Sequence, residues 1–278
     1  MVALSVNVNK IATVRNSRGG RVPSVLEAVE VCLAAGAPGI TVHPRADERH
    51  ITAADVREIA ARLAPLRGQV EFNIEGDPRP DLLDLVHAVQ PDQCTLVPVR
   101  PGEITSQAGW PEDTPQGEMT ALVTSLQSRG IRVSLFVDPL EASIRWAASV
   151  GADRVELYTE PYAASHGKPA QAEQLARFAA AARAAQAAGL GVNAGHDLNR
   201  DQEDYLDAVG HFLRLLDIMG GQDDGDAAFA QHLQHHGLHR VVVDPEHDLG
   251  NDAANFAFPR LDQCLGLGSS GCLRREAN

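Results

Sequence analysis

Titratable and amide side chains recur in this chain just where short β-branched runs end, which is where an α/β protein gathers residues for chemistry. The first run presents Asn7, Asn9 and Lys10, the second His43 and Arg45, and the third Glu71, Asn73 and Glu75. The sixth offers Glu156, Thr159 and Glu160, and the seventh Asn193 and His196. Glu71 alternates with Val70 and Phe72, so it shares a strand face with Asn73 and Glu75, opposite its apolar neighbours. A carboxylate turned into a barrel is costly unless paired or functional, and burial would raise its pKa into the range of a general base. His43 closes an Ile-Thr-Val run and His196 follows Ala194-Gly195, a step that lets backbone approach a ligand. One carboxylate and two histidines at one mouth make a proton relay. The competing readings are an internal Glu71–arginine salt bridge, structural histidines, and a cation held among His43, Glu71, Glu75 and His196.

Beside these lies a local concentration of cations. Arg15, Arg18, Arg21, Arg45 and Arg49, with His50, fall in what read as the loops after the first two strands, and Asn16 to Gly20 adds backbone N–H groups. Arginine forks hold phosphate bidentately, so the patch suits a phosphorylated ligand; the alternative is a solvated loop paired with Asp47 and Glu48. Only Lys10 and Lys168 are lysines. Lys168 falls in a loop and Lys10 is only roughly placed for a Schiff base, so a reaction needing an amine would take it from the substrate.

The elements that must position these residues alternate along the chain. Strands are expected at Ala3 to Val8, Ile40 to Val42, Val70 to Ile74, Cys94 to Pro98, Ile131 to Val137, Arg154 to Tyr158 and Leu190 to Asn193. Helical spacing falls between them at Val25 to Ala35, Ala53 to Leu63, Leu82 to Val89, Met119 to Ser128, Ala142 to Val150 and Ala170 to Ala188. Thr52 with Asp55 reads as a helix start, and Gly130, Gly151 and Gly189 as helix stops. Strands returning through helices give an all-parallel sheet, and with Arg240 to Val243 as a candidate eighth strand the fold expected is α/β, a (β/α)8 TIM barrel. The doubly wound alternative lacks a G-x-G-x-x-G after its first strand. The barrel is expected to occupy residues 1–250 as one domain, with 251–278 an irregular tail.

Composition limits the partners. The 278 residues are 44% apolar and 22% charged, enough to bury a core without disulfide or metal staples. A formal charge of -13 argues against nucleic acid or an anionic membrane as the main partner, so any attraction for anions must be local. Cys32, Cys94, Cys264 and Cys272 show neither C-x-x-C nor zinc spacing and read as reduced thiols. The start of the chain carries no signal-peptide pattern and no run reaches membrane-span length, so a cytoplasmic location is expected.

Read in order, several of these segments resemble the pyridoxine 5'-phosphate synthase family of vitamin B6 biosynthesis. They are Ser5 to Gly20 (SVNVNKIATVRNSRGG), Gly39 to Arg45 (GITVHPR) with Arg49 to Thr52, Glu71 to Gly76 (EFNIEG), Thr95 to Pro98, Glu103 to Ser106, Val133 to Asp138 and Asn193 to Asn199 (NAGHDLN). The resemblance covers Leu4 to about Asn199. It implies a metal-free barrel, without cofactor and assembled as a homo-octamer. Such an enzyme condenses two small phosphorylated substrates, 1-deoxy-D-xylulose 5-phosphate and 3-amino-2-oxopropyl phosphate, with release of phosphate and water. By the same matching, His43 and Glu71 would accept protons and His196 would donate one. Asn7, Arg18 and Asp197 would hold the amino-ketone phosphate, and Asn9, Lys10, Arg45, His50 and Thr105 the deoxyxylulose phosphate.

After Asn199 the family's eighth strand, with its phosphate-binding Gly-His, finds no counterpart; Val209-Gly210-His211 has the letters but comes too early. A non-catalytic homologue with an altered C-terminal phosphate site is therefore the alternative reading, and a phosphosugar epimerase or metal-dependent hydrolase on the same fold is a further one.

Overall fold

A computed structural model describes residues 3–17, 19–98, 108–165, 167–195 and 241–242. Seven parallel strands follow one another around a curled sheet: β1 (Ser5–Asn7), β2 (Gly39–Val42), β3 (Glu71–Gly76), β4 (Gln93–Leu96), β5 (Arg132–Val137), β6 (Arg154–Tyr158) and β7 (Gly191–Gly195). Each pairs with its sequence neighbour because a helix carries the chain back to the strand's starting end, as in a (β/α) barrel. The eighth strand departs from the all-parallel expectation. Of the candidate residues the structure describes Val241–Val242, which form β8 and pair antiparallel with β7, Asn193 opposite Val242 and Ala194 opposite Val241. The β-branched run correctly marks an extended segment, but direction depends on the connection before it, which run composition does not encode. β8 also lies against β1, so the sheet curls back toward its first strand. The expected tail, 251–278, lies outside the described residues.

The helices are α1 (Asn9–Ser17), α2 (Val25–Ala34), α3 (Ala53–Leu63), α4 (Pro80–Val89), α5 (Gln116–Gln127), α6 (Glu141–Ser149), α7 (Glu160–Ala163) and α8 (Gln171–Ala187). Their ends are chemically set. Ser24 Oγ accepts from Glu27 N at the start of α2, and at α3 Thr52 and Asp55 form a reciprocal capping box. Gly151 and Gly189 take the left-handed conformation just past α6 and α8, which lets the chain turn back into a strand. The first and seventh helices were not foreseen. In α1 the β-branched Ile11, Thr13 and Val14 blur the helical period and only Ala12 is buried. The single turn of α7 carries Pro161 as its second residue, which suits a first turn since its missing N–H has no partner to lose.

The helices clamp an apolar shell onto the outside of the sheet, built from residues such as Val6, Ile40, Ile74, Leu96, Leu135 and Leu157 with Val29, Ile59, Val86 and Ile144 from the helices. Tyr162 of α7 and Phe178 of α8 meet edge to face at 6.0 Å within it. Phe178→Ala is expected to lower the unfolding free energy by about 3–5 kcal/mol, read as a lower denaturant midpoint at unchanged slope. Cys32 and Cys94 are buried in this shell, and burial pushes both thiols up to about 12, leaving them unreactive.

The inside of the sheet is polar. Ser5 and Thr41 share a hydroxyl hydrogen bond of 2.7 Å, Asn73 donates to Thr41 Oγ1, and Thr95 and Gln93 donate to Asn73 Oδ1. Arg154 donates to Asn193 Oδ1 and Asn193 to Ser134 Oγ. These bonds satisfy groups that would otherwise be costly to bury, and they fix the inward face around the sheet.

Candidate active site

The carboxyl ends of β1 to β3 are stitched together by two asparagines. Asn7, the last residue of β1, accepts from the Asn9 backbone N–H at 2.9 Å, tying off the first turn of α1. Asn9 in turn accepts from the His43 backbone N–H at 2.9 Å, which fixes the residue that follows β2. Each amide thus uses its oxygen structurally. Lys10, in the same first turn, is exposed rather than desolvated, so it lacks the setting of a Schiff-base nucleophile.

Register sets the partner of His43. Val42 pairs with Ile74, so the next residues on each chain, His43 and Glu75, stand level at the mouth. His43 Nδ1 lies 3.9 Å from Glu75 Oε2, and both side chains are nearly enclosed. Burial pushes the Glu75 carboxyl up to about 8, so near neutral pH it can both give and take a proton.

Glu71 is elsewhere. It is the first residue of β3, four positions from Glu75 and so roughly 13 Å toward the opposite end at the usual strand rise. There it pairs with Arg132, the first residue of β5, whose Nε also donates to Gln93 Oε1. The expectation that Glu71 belongs to the mouth is thereby corrected: alternation identified the inward face of β3, but Glu71, Asn73 and Glu75 share that face and only the strand's limits say which reaches the mouth. The internal salt bridge weighed above is what forms.

The loop between β2 and α3 completes this side. His50 stands edge-on to His43 with ring centroids 6.0 Å apart. Its Nδ1 accepts from the Ile51 N–H, which leaves Nε2 to carry the proton, and burial, with the nearby Arg45 charge, pushes its pKa down to about 4. His50 is therefore a neutral donor at physiological pH. The Arg45 side chain is mostly enclosed and lies 4.0 Å from Asp47. Asp47 is held down at about 2, chiefly by hydrogen bonding from Arg49. Across the mouth, Val97, Phe136 and Tyr158 make an apolar wall after β4 and near the ends of β5 and β6. Phe136 and Tyr158 meet at 5.5 Å.

Arg18, Thr105, His196 and Asp197 lie outside the described residues. Of the others, Asn7, Asn9, His43, Arg45 and His50 come together at one end of the sheet, and Glu71 does not. Sequence reasoning gave Glu75 a place only in the rival cation site; the signal available for a place at the mouth was Gly76, whose position marks the end of the strand and puts Glu75 at its lip. It also missed that Arg15 and Asn16 belong to a helix and brace the neighbouring loop. Among the described residues no group of three or more potential metal ligands gathers, and no helix is long and apolar enough to cross a membrane.

A curled parallel sheet with surrounding helices, and a histidine–carboxylate pair at its carboxyl end, defines an α/β-barrel protein. The comparison with known proteins gives the family. Residues 4–218 match the model described as pyridoxal phosphate biosynthesis protein PdxJ, and the chain belongs to this family. The match reaches past Asn199, where the motif resemblance stops. Among curated relatives, the pyridoxine 5'-phosphate synthase of Albidiferax ferrireducens is 52% identical over 203 residues, covering 71% of this chain and 80% of its own. The enzymes of the same name from Xanthomonas oryzae pv. oryzae and Cytophaga hutchinsonii are 50% and 48% identical, covering 77% and 78% of this chain and 86% and 89% of theirs.

Proposed function

We propose that the chain is a pyridoxine 5'-phosphate synthase, which joins 3-amino-2-oxopropyl phosphate to 1-deoxy-D-xylulose 5-phosphate with loss of phosphate and water. Family membership over 215 of the 278 residues supports the reaction, and the observation that carries the mechanism is the enclosed His43–Glu75 pair at the mouth. The amine of one substrate attacks the ketone of the other and water leaves; enolisation, elimination of phosphate and ring closure follow, and the whole sequence releases one phosphate and a net two waters. Each later step moves a proton between carbon and oxygen, which is the work of a shuttle rather than of a protein nucleophile. His43 and Glu75 act as that shuttle at the mouth, with His196, next in sequence after β7, as the proton donor. Glu71, a proton acceptor by the family resemblance, is held by Arg132 toward the other end of β3.

The phosphates account for the cations. Arg45, neutral His50, Asn9, Lys10 and Thr105 hold the deoxyxylulose phosphate, and Asn7, Arg18 and Asp197 the amino-ketone phosphate. The amide N–H groups of Asn7 and Asn9 and the Nε2–H of His50 are donors, which is what phosphate oxygens require. Holding both ends fixes the reacting atoms near one another, where much of the rate gain of a two-substrate condensation arises. The family's assembly as a homo-octamer in the cytoplasm is proposed for this chain as well. Exposed Val14, Val22 and Val31, on or beside the packed helices α1 and α2, offer apolar surface for a subunit contact.

The pH dependence of turnover tests the shuttle. Glu75 acts as a base only when ionised, so the rate of pyridoxine 5'-phosphate formation is expected to climb with pH and level off above about 8. A rate that is flat from pH 6 to 9 would remove Glu75 from that role.

A further inference from the structure

The loop between β2 and α3 carries His43, Arg45 and His50, yet much of its backbone is held by side chains from elsewhere. Within the loop, Glu48 N donates to Arg45 O, and Glu48 stands at φ 48°, a left-handed conformation that a residue with a side chain adopts only when its surroundings impose it. Three carbonyls of the loop are gripped from outside. Asn16 Nδ2 donates to Glu48 O at 3.1 Å and to His50 O at 2.8 Å, and Arg15 Nη2 reaches His50 O at 3.4 Å. From the other side, Arg79 Nη2 donates to Pro44 O at 2.7 Å.

The gripping side chains are themselves locked. Arg15 forks onto Asp55 at 2.5 and 2.8 Å, and its Nε donates to Asn16 Oδ1 at 2.9 Å. Asp55 is the residue that closes the capping box with Thr52, so the brace is anchored in the first turn of α3. Arg79 is held by Asp77 at 2.5 Å and by Asp81 at 3.0 Å. Guanidinium groups committed to carboxylates in this way are poor phosphate ligands, though they lie beside a phosphate site; what they contribute is rigidity.

We propose that Arg15, Asn16 and Arg79 are positioning residues that clamp the β2–α3 loop at both ends and so preorganise Arg45 and His50 for the deoxyxylulose phosphate; this rests on the reading of that loop as the phosphate site. A clamp of this kind spares the loop's ordering cost when ligand binds, and its loss is felt by one substrate only.

Asn16→Ala removes two of the carbonyl bonds at a half-buried position where no core is disturbed. The dissociation constant for 1-deoxy-D-xylulose 5-phosphate alone, by titration calorimetry, is expected to rise ~10-fold, as is its KM, while the KM for 3-amino-2-oxopropyl phosphate stays within ~2-fold. Arg79→Lys, which releases Pro44 from the opposite side, is expected to give the same one-sided loss and serves if Asn16→Ala folds poorly. Unchanged binding in both variants, or equal losses for both substrates that follow a fall in Tm, would overturn the clamp. The parent protein and Arg45→Ala separate this from a failure of the underlying reading. If the parent binds the sugar phosphate and Arg45→Ala binds it equally well, the loop is not the phosphate site and the clamp falls with it. If Arg45→Ala loses binding but the clamp variants do not, the site stands and the clamp alone is wrong.

Discussion

Glu75→Gln is expected to lower turnover at least ~100-fold, whereas Glu71→Gln changes it by less than ~3-fold. The contrast is informative because the two carboxylates lie on one strand, on one face, four residues apart. Glu75 faces His43 at 3.9 Å in an enclosed mouth, where a glutamine keeps the shape and removes the transferable proton. Glu71 is bound to Arg132 at the opposite end, where the substitution costs stability of about 1–2 kcal/mol and touches no reacting atom. Steady-state assays of both variants at saturating substrate decide the matter. The reverse pattern would return the catalytic role to Glu71, as the motif resemblance alone implies.

The same Glu75→Gln change is expected to stabilise the protein at alkaline pH. The carboxyl moves from 4.5 in the unfolded chain to about 8 in the folded protein, so the folded state binds its proton more tightly. Below about 4.5 both states are protonated and the full stability is present; as pH rises toward 8 the unfolded chain gains by ionising and stability falls. Glutamine has no proton to lose. The variant should therefore match the parent near pH 4.5 and exceed it by on the order of 4 kcal/mol at pH 8. Denaturant unfolding at the two pH values reads this directly, and equal slopes of stability against pH in parent and variant would mean that Glu75 is not buried uncharged. An active-site group that weakens the fold while serving the reaction is a familiar compromise.

Much of the barrel was legible because strand and helix periods differ and each joint carries its own chemistry. The Thr52–Asp55 box and the glycines after α6 and α8 fix three of those joints almost to the residue. Helix α1 was not legible: Ile11, Thr13 and Val14 favour extended structure when read locally, and the helix exists because Asn7 ties its first turn and Arg15 and Asn16 bind the neighbouring loop. Strand β8 was legible as extended but not in direction, since Val241–Val242 pairs with β7 from a long connection whose course the strand's own residues do not set.

In the site, His43, Arg45, Asn7 and Asn9 could be placed from strand ends alone. The position of Glu71 along its strand was misread, and Glu75 was not singled out as the residue at the mouth, for one reason. The period of two gives the face of a strand but not its polarity along the barrel, and the third strand begins at Glu71 instead of ending near it. The loop brace was illegible because its partners, Arg15 with Asp55 and Arg79 with Pro44, lie far apart in sequence and meet only in the fold.

The most direct test of the account is product formation by the purified full-length chain given both phosphorylated substrates and no added metal, with the product identified by mass and absorbance and the phosphate counted. The account predicts pyridoxine 5'-phosphate and inorganic phosphate in equal amounts, and neither when one substrate is omitted. A cooperatively folded protein that binds both substrates and yields no product would contradict it.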